Sequence, residues 1–100
     1  MSISPEVLIE FKERMHLEGD EDANLMRILT ASEKELTRIC GEYDINVDEI
    51  FKELVFERSR YVYNDALEYF NKNFLTEINN LGMAKALDEI VILGDPDATV

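Results

Sequence analysis

The sequence predicts an all-α fold, a small bundle of three to four helices with a long third helix and an extended C-terminal tail. Apolar residues recur every three or four positions over most of the chain, the spacing of one buried helix face. Only four glycines and two prolines occur in 100 residues, and most sit near element boundaries, which disfavours a turn-rich β design. A hydrophobic content of 46% with nine aromatics is enough for one compact core. Residues 1–82 are expected to form the helical domain. Residues 83–100 form a tail whose first part fits either a helix or a strand.

Ser4-Pro5-Glu6 opens the first helix with a capping hydroxyl, a proline at the first helical position and an acid near the positive end of the dipole. Val7, Leu8, Phe11 and Met15 are its buried side, Glu10 is placed to pair with Arg14, and the helix should run to about Leu17 before Gly19 ends it. Asp20, Glu21 and Asp22 then supply a cap and first-turn charge. The stripe Leu25, Ile28, Leu29, Ser32, Leu36, Ile39 and Cys40 carries the second helix to Gly41.

After a connector at Glu42 to Asn46, Val47, Ile50, Phe51, Leu54 and Val55 begin the third helix, expected to continue to about Phe74 with a candidate break near Asn71 to Asn73. At about 100° per residue, Phe51, Val55, Val62 and Ala66 share one stripe. Phe56, Tyr63, Leu67, Phe70 and Phe74 share a second, roughly 130° away. A single small domain offers one core, so the second stripe is expected to be covered by a neighbouring subunit. Arg58 and Asp65 fall at the edge of the first stripe, form a buried ion pair or reach across a subunit boundary. Thr76 to Leu81 reads as a short final turn or helix stopped by Asn79, Asn80 and Gly82. In the tail, Met83, Leu87, Ile90 and Val91 fit a helix, whereas the β-branched run Ile90 to Leu93 also suits a strand.

The chain carries 22 acidic and 10 basic residues, a net charge of -12. Phosphate backbones and anionic lipid should repel such a molecule, which argues against sequence-specific DNA readout and against Tyr61, Tyr63 and Tyr69 as base-stacking platforms. No apolar run approaches the length of a membrane span, and no charged segment followed by an apolar one opens the sequence, so neither membrane insertion nor signal-directed export is expected. The single cysteine, Cys40, excludes an internal disulfide and reads as a reduced, packed thiol.

Catalytic, cofactor and metal sites are not expected. Asp20, Asp22 and Asn24 alternate like the start of a calcium loop, but Leu25 stands where that loop needs glycine and Ala31 where it needs a bidentate glutamate. His16 is the lone histidine, so a His and Cys zinc site cannot be assembled in one chain. No close carboxylate pair adjoins a nucleophile or a glycine-rich loop.

Three segments in order resemble the head-tail connector family of tailed bacteriophages, also called adaptor or head-completion proteins. They are the opening helix Leu8-Ile9-Glu10-Phe11-Lys12-Glu13-Arg14-Met15-His16-Leu17 before the acidic turn Glu18 to Asp22; the second helix with small residues Ala31 and Ser32, ending Ile39-Cys40-Gly41; and Glu57-Arg58-Ser59-Arg60-Tyr61-Val62-Tyr63-Asn64-Asp65, similar to the family's long helix with an Arg-Tyr-x-Tyr-Asn core. The resemblance covers roughly Val7 to Gly82, with Phe11 and Met15 where leucine is more usual. It implies a non-enzymatic neck component of the virion, made in the host bacterial cytoplasm and needing no cofactor. It also implies a ring, usually of twelve subunits, beneath the portal protein. The ring extends the channel toward a stopper or tail-completion protein, and packaged DNA passes through it without specific binding.

The stripe of Phe56, Tyr63, Leu67, Phe70 and Phe74 is then a subunit interface, and Ile90, Val91, Ile92 and Leu93 a portal-docking segment that adds as a strand to a partner's sheet edge. Two other readings remain open: an acidic DNA mimic that occupies a DNA-binding enzyme, and a generic helical interaction module.

Overall fold

The computed structural model describes residues 3–93, which are helical and contain no strand. The elements are α1 (Pro5–Met15), α2 (Asp22–Cys40), α3 (Glu49–Tyr63), a 3-10 turn (Leu67–Tyr69), α4 (Phe70–Asn73) and α5 (Leu75–Leu93). The all-α expectation holds, while the division within it differs.

α1 begins as expected, with the Ser4 hydroxyl accepting from Val7 N at 3.2 Å and Pro5 next. It ends earlier, and not through Gly19. His16 adopts the left-handed region (φ 59°), its N–H reaching Glu13 O at 3.2 Å while Leu17 N reaches Lys12 O at 2.9 Å. This is a Schellman motif with histidine in the position usually held by glycine. Because an L side chain is strained there, His16→Gly should raise stability by about 1 kcal/mol, read as a higher denaturant midpoint at constant slope. An unchanged or lower midpoint contradicts this.

A second Schellman motif stops α3. Asp65 stands at φ 59°, its N–H on Val62 O at 3.1 Å, and Ala66 N bonds Tyr61 O at 2.8 Å. The long third helix is therefore two pieces. Asp65 is exposed and lies off the helix, so it forms no pair with Arg58. Arg58 instead donates to Ser32 Oγ at 3.1 Å, and burial holds its guanidinium below its ordinary pKa.

Both apolar faces of α3 are covered within the chain. One packs on α2, where the small Ser32 and Ser59 allow close approach and share a 3.0 Å hydrogen bond with no exposed surface on either. The other meets α1 through Phe56 against Phe11, ring centres 5.3 Å apart. Glu10 and Arg14 do not pair with each other. Lys52 donates to Glu10 at 2.9 Å and Arg14 meets Glu53 at 2.5 Å, so both side chains tie α1 to α3. The Glu10 hydrogen bond raises the Lys52 pKa.

The connector between α2 and α3 is pinned at several points. Gly41 leaves α2 at φ 97°, Ile45 is buried, and Tyr43 stacks on Phe51 and donates to Leu81 O at 2.6 Å. Val47, expected on the helix, sits in this turn, 77% exposed, while Asp48 caps α3 by accepting from Phe51 N at 2.9 Å. α5 runs straight through Asn79, Asn80 and Gly82. Ile78 and Leu81 are buried against the end of α2, a gain larger than the roughly 1 kcal/mol that glycine costs a helix interior. An added Cβ at Gly82 would make only ordinary contact with α2, at 3.7 Å from Ile39 O. The stretch from Met83 to Leu93 is accordingly helix, not extended tail.

Candidate docking surfaces

The second stripe does not survive as one surface, because its projection assumed a continuous helix across Asn64–Ala66. Phe56 and Phe70 are 2% and 1% exposed and belong to the chain's own core. Phe70 folds back with α4, stacks on Phe74 at 5.1 Å and meets Tyr61 edge-on at 5.7 Å. Phe74 and Tyr63 are half-buried. The Tyr63 hydroxyl donates to Glu21 at 2.8 Å, which raises its pKa. Of the five residues, Leu67 alone is exposed. Ile90, Val91, Ile92 and Leu93 lie on α5 as backbone, which removes the extended form that strand addition needs; the surroundings of their side chains lie outside the described residues.

What remains open on the surface is apolar but arranged differently. With extents of 56 × 27 × 17 Å the body is too thin to hide all of its hydrophobic residues. Its radius of gyration of 15.5 Å exceeds the roughly 13 Å of a compact chain of this length. On the outer side of α3, Ile50, Leu54 and Phe74 floor a cleft of about 220 Å³ walled by Glu53, Glu57 and Glu77. A broader cleft of about 380 Å³ at the α2–α5 crossing is lined by Ile39, Ile78 and Met83. Beyond it, α5 projects with Met83 and Leu87 more than half exposed.

Charge is divided between faces. Opposite the buried side of α2, at spacings of seven and four, stand Arg27, Lys34 and Arg38, all exposed. Arg38 binds Glu35 at 2.6 Å and Arg27 touches Asn24, while Lys34 meets no carboxylate among the described residues. This cationic stripe was legible in the sequence as a helical repeat of base, but the acidic total obscures it. The carboxylates at the start of α2 do not act as a side-chain cap: Glu21 holds the cap position but its side chain accepts from Tyr63 instead of from the helix backbone, and Asp22 binds Lys12 at 2.7 Å.

Among the described residues, no group of three or more histidine, cysteine or acidic side chains is placed to hold a metal ion, and no helix is long and apolar enough to cross a membrane. Cys40 is buried beside Ile78 O, and burial raises its thiol pKa, which keeps it in the unreactive protonated form. No family model, curated protein or solved structure matches the chain significantly.

Proposed function

We propose that the chain is a structural head-tail connector of a tailed bacteriophage, assembling as a ring, of about twelve copies by the family resemblance, beneath the portal. The observation that carries this reading is the set of large hydrophobics left exposed on a thin helical body: Ile50, Leu67, Leu75, Met83 and Leu87 are each more than 40% exposed. Among the exposed apolar residues, Ile39 and Met83 line one cleft and Leu87 follows one turn on along α5, an exposed apolar patch of the kind that marks contact with other proteins. The order of the three resembling segments supplies the identity of those contacts. The role is assembly, not catalysis. The acidic surplus suits a duct through which DNA slides, since like charge keeps phosphates from adhering.

Sedimentation of DNA-filled, portal-bearing heads mixed with the protein tests the reading. The protein should pellet with the heads and stay bound in about 1 M salt, because apolar contact resists screening. Failure to pellet overturns the connector role. An acidic mimic would instead bind basic DNA-binding proteins and release from them in salt, and the cationic stripe on α2 interrupts the uniform acid that a mimic presents. Gel-shift titration with duplex DNA should show no complex at moderate salt, and a tight complex would contradict the lined-duct reading.

A further inference from the structure

We infer that copies of this chain dock head to tail, the cationic outer face of α2 in one copy seating on the glutamate-walled cleft of α3 and α5 in the next. The two surfaces are opposite in sign: Lys34 and Arg38 stand on the outer face of α2, and Glu53, Glu57 and Glu77 wall the cleft. Glu77 forms the opposite wall of the cleft. Glu53 and Glu57 hold Arg14 and Arg60 at 2.5 and 2.6 Å within the chain, which leaves Glu77 as the carboxylate that binds no cation among the described residues. Lys34 is its counterpart on α2.

The complement is a second copy because one chain carries both surfaces, and the contact is head to tail because they face opposite ways. α2 and α3 pack through Ser32 and Ser59, putting the Arg27–Lys34–Arg38 stripe on the far side of α2. Ile50, Glu53 and Glu57 lie on the far side of α3. A two-fold pair cannot satisfy both surfaces at once, whereas successive copies can, closing into a ring where the rotation allows. The ring rests on the connector reading above; the pairwise contact rests on charge placement alone.

The test is charge reversal with exchange, followed by sedimentation velocity at low ionic strength. Both sites are exposed, so Lys34→Glu and Glu77→Lys should fold normally by circular dichroism. The wild-type mass should rise with concentration, and each reversal should weaken association about tenfold or more, because it sets like charges against each other. An equimolar mixture of the two variants should restore association, since each then meets its opposite; a folding defect would not be rescued in this way. A wild type that stays monomeric, reversals that associate as wild type does, or a mixture no better than its parts would each overturn the contact. If heads still capture the protein as a ring while the reversals have no effect, the contact fails and the connector reading stands. If the exchange works and heads capture nothing, the reverse holds.

Discussion

Phe70→Ala should lower the stability of the isolated chain by about 3–5 kcal/mol. The ring is 1% exposed, stacked on Phe74 and set edge-on to Tyr61, so truncation removes its burial and leaves a cavity that the neighbouring aromatics cannot fill without leaving their own contacts. A domain of this size has roughly 5–15 kcal/mol in all, so the loss brings it near the unfolding threshold. Denaturant titration reads the change, with Leu67→Ala as the control. Leu67 sits three residues away but is 41% exposed, and its loss should shift stability by no more than about 0.5 kcal/mol. If Phe70→Ala costs no more than the control, α4 does not fold back on the core and Phe70 returns to the surface stripe.

Leu29→Ala should cost about 2–5 kcal/mol. Leu29 has no exposed surface and lies midway along α2, between Leu25 and Leu36 on the face that meets α3. Both helices are long and tied at several points, so the site collapses poorly and the upper half of the range is expected. A midpoint that barely moves would place Leu29 outside the core and undo the α2–α3 packing on which both docking surfaces depend.

Where an element ends by a residue with a strong local preference, the sequence was enough. Ser4-Pro5 marks the start of α1, and Gly41 the end of α2. The errors fall where tertiary contact or an uncommon cap decides. Asp65 and His16 occupy left-handed positions that glycine usually announces, so the break after Tyr63 had no glycine or proline to reveal it. Asn79, Asn80 and Gly82 resemble stops, yet Ile78 and Leu81 dock on α2 and carry α5 past them.

The two apolar faces of α3 were correctly legible, but their cover was not. Phe11 of α1 and the folded-back Phe70 supply from within the chain much of what was assigned to a neighbour. The exposed apolar positions and the cationic stripe required knowing which faces the other helices leave uncovered. No helical projection contains that information.

The most direct test of the connector role is electron microscopy of DNA-filled, portal-bearing heads incubated with the protein. The account predicts a closed ring of repeated copies on the portal vertex, coaxial with the channel. Heads whose portal vertex stays bare, or copies scattered over the capsid without a ring, would contradict it.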